Sequence, residues 1–142
     1  MKQKNKIVGY TAGVFDMFHI GHLNRIKGAK ELCDYLIVGV NSDELVETYK
    51  SKKPVINQND RMEIVKAIKY VDEVVLIETR DKKDAYDKYK FDILIAGEEW
   101  KNTESYIKAE EDFKNLGVKV CYKPYTERVS STMLRNIILE NK

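Results

Sequence analysis

Two histidines lie three residues apart in the stretch GVFDMFHIGH at residues 13–22, and the sequence contains no others. A strand-like run leads into this stretch and a helical pattern follows it, so His19 and His22 are expected where a turn enters a helix. Such a turn presents unpaired backbone N–H groups and the positive end of the helix dipole, which bind anions and disfavour a protonated imidazole. We therefore predict that both histidines are neutral hydrogen-bond donors to phosphate oxygens, and that Gly21 lets a nucleotide approach the backbone closely. Capping or core histidines are the alternative.

Three consecutive hydroxyl side chains, Ser130, Ser131 and Thr132, begin the last predicted helix. They can cap that helix, and the same hydroxyl and N–H groups can contact a nucleotide phosphate. Asp16 closes the first predicted strand beside the histidine turn, where its carboxylate could orient a metal-bound phosphate or cap the turn.

A lysine-rich stretch without clear periodicity spans residues 47–60 and is predicted to be a loop over the site. Lys50, Lys52 and Lys53 are candidates to clamp phosphates there as mobile point charges. The ordinary explanation is a solvated loop.

Two arginines occupy positions that are electrostatically unfavourable without an anion. Arg61 falls in the first turn of a predicted helix that Asn59 or Asp60 would cap, and Arg128 lies two residues before Ser130. A cation near a helix N-terminus has the wrong sign for the helix dipole. Both arginines are therefore functional candidates, although for Arg128 an exposed position in solvent is equally reasonable.

Composition limits the class of protein. The chain has 142 residues, of which 43% are apolar and 34% charged, and its net charge is +2 from 25 basic and 23 acidic residues. This predicts one globular domain over residues 1–142, without a general field that would hold nucleic acid or a membrane surface. Neither a signal peptide nor a membrane-spanning stretch is evident, so we expect a cytoplasmic protein. The two cysteines are expected to be buried thiols.

Strand-like and helical patterns alternate along the whole chain. The strand-like runs are KIVGYTAGVF, DYLIVGV, DEVVLIE, FDILIAG and VKVCYK. Such βα alternation predicts an α/β fold, a five-stranded parallel sheet with helices on both faces and ligands at the carboxyl ends of the strands. The GVFDMFHIGH stretch falls at such an end.

The residues in and around this stretch carry a resemblance to a known family. HIGH after GVFD resembles the HxGH signature of the nucleotidyltransferase superfamily. KYVDEV at 69–74, AGEEW at 96–100 and VSSTMLR at 129–135 are similar to segments of the small bacterial cytidylyltransferases. The resemblance implies a Rossmann-like nucleotidyltransferase that transfers CMP from CTP to a small phosphorylated alcohol, with glycerol 3-phosphate as the first candidate. Direct in-line attack, release of pyrophosphate, Mg²⁺ bound with the triphosphate and a homodimer are also implied.

The resemblance also implies roles for residues. His19, His22, Lys50, Arg61 and Arg128 are expected in catalysis, and Lys69 and Asp72 at the substrate or the dimer contact. No set of protein ligands for a metal is expected. The residues expected to bind the nucleotide are Gly13, Val14, Phe15, Asp16, Gly21, Lys52, Gly97, Glu98, Glu99, Ser130, Ser131 and Thr132.

Two departures from the family pattern concern the second substrate. Val14 stands where the family often has threonine, and Tyr125 stands where it often has arginine, which raises the hypothesis that Arg128 replaces that arginine. Two other functions remain open: an ATP-dependent adenylyltransferase acting on a sugar phosphate or a flavin precursor, and a non-catalytic nucleotide-binding domain.

Overall fold

Five apolar runs of the sequence form one sheet in the computed structural model, which describes residues 6–124 and 136–139. The strands are β1 (Val8–Gly13), β2 (Tyr35–Asn41), β3 (Glu73–Ile77), β4 (Ile93–Gly97) and β5 (Lys119–Lys123). All pairings are parallel and the strand order is β3-β2-β1-β4-β5. The prediction of a five-stranded parallel α/β fold is confirmed.

Helices cover both faces of this sheet. They are α1 (Ile20–Lys30), α2 (Asp43–Lys50), α3 (Gln58–Lys66), α4 (Lys82–Tyr89) and α5 (Glu104–Lys114), with a 3₁₀ turn at Glu98–Trp100. Residues 136–139 are also helical. None of the helices in the described part of the chain is long and apolar enough to cross a membrane.

Each face of the sheet has its own apolar core, so different helices flank the two sides of the site. One core joins buried residues of α1 and α3, such as Ile26 and Val65, to Val38 in β2. The other joins α4 and α5 to the opposite face through Ala85 and Phe113. A strand covered by helices on both sides is apolar at nearly every position, as the YLIVGVN sequence of β2 is.

The strand order reverses direction between β1 and β4, which are neighbours in the sheet although β2 and β3 come between them in sequence. The connection after β1 runs toward the β3 edge of the sheet, and the connection after β4 runs toward the β5 edge. This divergence opens a crevice at the carboxyl ends of β1 and β4. The GVFDMFHIGH turn follows β1, and the Glu98–Trp100 turn follows β4. The topology therefore brings these two distant segments together.

The predicted loop at residues 47–60 is wrong at both ends. Helix α2 continues to Lys50 and α3 begins at Gln58, so residues 51–57 alone form the connection. Ser42 caps α2 by accepting a hydrogen bond from the backbone N–H of Leu45 at 3.1 Å. The cap of α3 is Asn57, not Asn59 or Asp60.

Candidate active site

A cleft of about 570 Å³ lies at the carboxyl edge of the sheet. It runs across the ends of β1 and β2 to the segments that follow β3 and β4. Predicted site residues among its described lining are Gly13, Val14, Phe15, Asp16, His22, Lys50, Lys52, Lys53 and Glu99. Ligands of this fold class bind at this position, so the cleft is the candidate active site.

The turn between β1 and α1 is held in an uncommon backbone conformation. Phe15 and Met17 have φ angles of 55° and 50°, in the left-handed region that side chains rarely adopt. Phe15 is buried, and its ring centroid lies 5.5 Å from that of His22. Packing of Phe15 therefore holds a turn that local preference alone would not select, a feature that clusters at functional sites.

His19 and His22 form a reciprocal cap at the start of α1. The Nδ1 atom of His19 accepts a hydrogen bond from the backbone N–H of Gly21 at 3.0 Å, and Nδ1 of His22 accepts from the backbone N–H of His19 at 3.2 Å. The two rings are stacked with their centroids 4.0 Å apart. Because both Nδ1 atoms accept, a neutral ring carries its proton on Nε2, and each Nε2–H is left to donate elsewhere. Within the described residues, Nε2 of His19 is buried and has no hydrogen-bond partner.

Both imidazoles are held in the neutral form. Burial, followed by the neighbouring His19 and Arg25, lowers the pKa of His22 to about 3. Burial and Arg25 also lower the pKa of His19. The site thus has two fixed neutral donors in a cationic setting, which can stabilise charge on a phosphate without first losing a proton. The structure shows the capping alternative, and because the caps use Nδ1 and leave Nε2, the donor role is compatible with it and stays a prediction.

Asp16 is turned into the protein although it borders the cleft. Its side chain is 5% exposed and accepts hydrogen bonds from the backbone N–H groups of Val55 and Ile56, at 2.8 and 2.9 Å. The carboxylate therefore ties the connection after α2 to the histidine turn. Of the two roles considered for Asp16, this geometry matches the cap.

Arg61 is a positioning residue and does not lie at the cleft surface. Its side chain is 0% exposed, and Nη2 contacts Oδ1 of Asp43 at 2.6 Å. Nη1 donates to the carbonyl oxygens of Val14 and Asn41 at 2.7 and 2.8 Å, and Nε donates to that of Ile56 at 2.8 Å. The anion that faces Arg61 is the Asp43 carboxylate of the protein itself, so the expected contact of Arg61 with a bound ligand does not match this geometry. Arg61 joins the ends of β1 and β2 to the residue 51–57 connection.

Several cations line the cleft that sequence reasoning did not find. They are Arg25 of α1, Arg80 after β3, and Lys82 at the start of α4. Arg25 lies three residues after His22, so a helical spacing of three could have indicated that both point to one side. Arg80 and Lys82 carry no such signal, because only the sheet topology brings them to the edge of β1. Tyr49, Trp100 and Tyr106 also line the cleft.

The turn after β4 contributes one carboxylate to the cleft. Glu99 forms an ion pair with Arg25, with Nη2 and Oε1 2.5 Å apart. A Cβ atom at residue 97 would lie 2.3 Å from Oε2 of Glu99. Glycine at this position therefore leaves room for the Glu99 carboxylate beside the backbone. Glu98 is exposed and is not among the described residues that line the cleft.

Lys69 and Asp72 lie away from the cleft. The Asp72 carboxylate accepts hydrogen bonds from the backbone N–H of Leu36 at 2.8 Å and from Nζ of Lys30 at 2.7 Å. Leu36 is near the start of β2, so Asp72 belongs to the amino edge of the sheet. The expected substrate contact is therefore wrong for Asp72, and Lys69 is an exposed neighbour whose Nζ lies 5.2 Å from the Tyr70 ring centroid. The dimer contact stays a prediction.

The remaining predicted residues are not assigned a position. Tyr125, Arg128, Ser130, Ser131 and Thr132 fall outside the described residues. The hypothesis that Arg128 replaces an arginine therefore stays a prediction.

The two predicted carboxylates that border the cleft already have partners in the protein, and Mg²⁺ bound with the triphosphate stays a prediction. Asp16 is bound to two backbone N–H groups and Glu99 to Arg25. Across residues 6–124 and 136–139, no group of three or more His, Cys, Asp or Glu side chains is placed to hold a metal ion. Mg²⁺ commonly binds proteins through one or two carboxylates together with substrate phosphates.

Comparison with known proteins agrees with this fold and shows the family. The cytidylyltransferase-like family model matches residues 10–137. The chain is 36% identical to the FAD synthase of Thermococcus sibiricus over 139 residues, which cover 97% of this chain and 94% of that protein. It is 32% identical to the glycerol-3-phosphate cytidylyltransferase of Bacillus subtilis over 130 residues, covering 90% and 94% of the two chains.

Solved structures show the same architecture. A lipopolysaccharide core biosynthesis protein from Thermoplasma volcanium superposes with a TM-score of 0.73 at 26% identity, covering 86% of this chain and 100% of that one. The pantoate-beta-alanine ligase of Francisella tularensis superposes with a TM-score of 0.64 at 17% identity, covering 98% and 72%, and supports the fold alone.

The fold, the histidine turn and these relatives define an enzyme of the nucleotidyltransferase class. Within that class, the chain belongs to the cytidylyltransferase-like family.

Proposed function

We propose that the protein is a CTP-dependent cytidylyltransferase that transfers CMP to a small phosphorylated alcohol, with glycerol 3-phosphate as the first candidate. The observation that carries this proposal is the pair of neutral imidazoles at the start of α1, with Nε2–H groups left to donate. The similarity to the Bacillus subtilis enzyme over 90% of the chain supports the choice of substrates.

The proposed chemistry needs hydrogen-bond donors and does not need a general base. A phosphate monoester is already a dianion near neutral pH, so its oxygen can attack the α-phosphorus of CTP without prior deprotonation. The bond from the α-phosphorus to the bridging oxygen of pyrophosphate breaks, and that oxygen keeps the electron pair. Charge therefore grows on the pyrophosphate side, where preorganised neutral donors are most effective.

Charge neutralisation is the other requirement, because a dianion must approach a highly charged triphosphate. Lys50 and Lys52 line the cleft beside the histidine turn and have no ion pair with another described residue. Their flexible ammonium groups are suited to following phosphate oxygens. Mg²⁺, bound with the triphosphate, would add Lewis-acid neutralisation of the phosphate charge.

A second candidate function is adenylyl transfer from ATP to a flavin phosphate. Two observations favour it: the 36% identity to an FAD synthase, and a cleft lined by the aromatic rings of Tyr49, Trp100 and Tyr106. Aromatic side chains can stack on a flat heterocycle such as a flavin.

Pyrophosphate release separates the two. Each of the four nucleoside triphosphates is incubated with Mg²⁺ and, in turn, glycerol 3-phosphate, ethanolamine phosphate and flavin mononucleotide, and the nucleotide product is identified by mass. Release with CTP and glycerol 3-phosphate supports the main proposal. Release confined to ATP and flavin mononucleotide refutes it in favour of the second candidate, and no release with any pair contradicts both.

We further propose that the enzyme acts in the cytoplasm as a homodimer. β3 pairs with β2 on one side, and within the described chain no strand pairs with its other side. A partly exposed groove lined by Met62, Val71 and Val74 lies beside this edge. Light scattering at micromolar concentration tests the dimer, and a monomeric mass contradicts it.

A further inference from the structure

An ion pair spans the crevice where the strand order of the sheet reverses. Arg25 belongs to α1, which follows β1, and Glu99 belongs to the turn that follows β4. The Nη2 atom of Arg25 lies 2.5 Å from Oε1 of Glu99, although the two residues are 74 positions apart in the sequence. Both side chains line the cleft. The pair therefore joins the two halves of the site beside the histidine turn.

The local backbone fixes the Glu99 carboxylate. Both carboxylate oxygens lie so close to Gly97 that a Cβ atom there would overlap them. The hydroxyl group of Thr103 donates a hydrogen bond to the carbonyl oxygen of Trp100 at 2.6 Å and closes the turn that carries Glu99. A carboxylate that is held in this way also restrains the guanidinium group that it binds.

Arg25 keeps hydrogen-bond donors that the protein does not use. A guanidinium group has five N–H groups, and the contact with Glu99 is made by Nη2. Nε and Nη1 of Arg25 form no hydrogen bond with another described residue. Arg61 shows the contrast, because its Nε, Nη1 and Nη2 atoms all have protein partners and its side chain is 0% exposed, against 23% for Arg25. Arg61 is saturated by the protein, whereas Arg25 has donors left for a ligand.

Arg25 lies next to both histidines. It follows His22 by three residues in α1, a spacing that places two side chains on the same side of a helix. Its charge contributes to the lowered pKa of His19 and of His22, so the guanidinium group is close to both rings. The unused N–H groups of Arg25 and the Nε2–H groups of the histidines can therefore reach the same ligand. Neutral donors and a cation together suit a region in which negative charge accumulates during the transfer.

We propose that Arg25 is a further catalytic residue, which binds oxygens of the leaving pyrophosphate, and that Glu99 is its positioning residue. This inference rests on the proposed nucleotidyl transfer. An oxygen of the acceptor phosphate forms the new bond to the α-phosphorus, and the bond from the α-phosphorus to the bridging oxygen of pyrophosphate breaks. That oxygen keeps the electron pair, and Arg25 offsets the charge that pyrophosphate gains. The guanidinium group stays protonated throughout, so no proton moves.

Binding can be measured without turnover, because the chain has only two histidines and both lie beside Arg25. Their ring Cε1–H signals in NMR spectra are followed while inorganic pyrophosphate is added at up to millimolar concentrations. The wild type is expected to show a saturable shift. Arg25→Gln should weaken pyrophosphate binding by about 10- to 100-fold, as expected for the loss of charge-assisted hydrogen bonds. Arg25→Lys should recover only part of this loss, since an ammonium group lacks the planar fork that binds Glu99 and a phosphate together.

Lys27→Gln is the matched control, since it removes one positive charge from an exposed position of the same helix, away from the described lining of the cleft. It should bind pyrophosphate as the wild type does. A wild type without a saturable shift, an Arg25→Gln variant that binds pyrophosphate normally, or an equal weakening in Lys27→Gln overturns the proposal.

A double-mutant cycle tests the role of Glu99. Glu99→Gln alone should weaken pyrophosphate binding by about 3- to 10-fold, because a neutral amide holds the guanidinium group less firmly than a carboxylate does. In the Arg25→Gln background the same substitution should not weaken binding, since Glu99 acts through Arg25. Unchanged or tighter binding by the single Glu99→Gln variant, or an equal loss in both backgrounds, contradicts the positioning role.

Steady-state kinetics give an independent test. Arg25→Gln should lower kcat with CTP and glycerol 3-phosphate by about 10²- to 10³-fold, as expected for the loss of a group that stabilises the leaving charge, with little change in KM for glycerol 3-phosphate. A normal kcat with a raised KM for glycerol 3-phosphate would assign Arg25 to the acceptor and overturn the inference, while leaving nucleotidyl transfer intact. If the wild type transfers no nucleotide, the proposed function fails, and the pyrophosphate titration still decides whether Arg25 binds this anion.

Discussion

The neutral state of His22 predicts a measurable loss of stability in mild acid. Its folded pKa is about 3, against a usual value of 6.5 for an unfolded histidine. Below pH 6.5 the unfolded chain binds a proton at residue 22, whereas the folded protein does not. Lowering the pH therefore favours unfolding, and the loss continues until the pH reaches the folded pKa.

The size of this effect follows from the two pKa values. Each pH unit below 6.5 costs about 1.4 kcal/mol for one group, so His22 alone should lower the free energy of unfolding by about 2 kcal/mol near pH 5. The lowered pKa of His19 acts in the same direction. Losing about 2 kcal/mol matters for a domain whose total stability is of the order of 5 to 15 kcal/mol.

Urea unfolding of the wild type and His22→Gln, each at about pH 7 and about pH 5, isolates this contribution. Glutamine keeps a polar side chain and cannot titrate. Carboxylates contribute equally to the pH dependence of both proteins. The free energy of unfolding of the wild type should therefore fall by about 2 kcal/mol more than that of the variant between the two pH values. Equal losses of unfolding free energy in the two proteins would refute the claim that the folded site lowers the pKa of His22.

Four substitutions test other parts of the site. His19→Ala and His22→Ala should each lower kcat by about 10²- to 10³-fold with a smaller effect on nucleotide affinity, as measured by steady-state kinetics and equilibrium binding; near-normal kcat would exclude the donor role. Arg61→Lys should lower the free energy of unfolding by about 3 to 5 kcal/mol in urea titrations, whereas a purely catalytic arginine would leave that free energy unchanged. Asp16→Asn, which can accept one of the two backbone N–H groups, should cost about 1 to 3 kcal/mol by the same measurement, and unchanged stability would contradict its anchoring role.

The fold was predictable because each buried strand carries an unbroken apolar signal. YLIVGVN and ILIAG have no polar interruption, and their alternation with helices leaves few arrangements other than a parallel sheet. The boundaries of α2 and α3 were not predictable in the same way. Residues 47–60 have no apolar periodicity, and α2 depends on Leu45 and Val46, which lie before that stretch.

The histidine turn was predictable from residue types alone, but the geometry of its donors was not. Which nitrogen of each ring accepts depends on the positions of the backbone N–H groups of His19 and Gly21, which residue types alone do not specify. Arg80 and Lys82 were missed for a different reason. They are more than 50 residues from the histidines, and the order of the strands brings them to the same edge.

The charged residues near the histidine turn fall into two groups that sequence alone does not separate. Asp16 and Arg61 point inward and have protein partners for their charged groups, so they hold the turn and the residue 51–57 connection in place. A buried charge of this kind must be paired, because leaving it unpaired would cost several kcal/mol. Lys50 and Lys82 line the open cleft, and no hydrogen bond or ion pair joins their ammonium groups to another described residue. The two groups differ in whether the protein itself supplies the opposite charge. Where the protein does not supply it, a phosphate ligand can, which supports the proposed phosphate-binding role of Lys50, whereas Asp16 and Arg61 hold other parts of the protein in position.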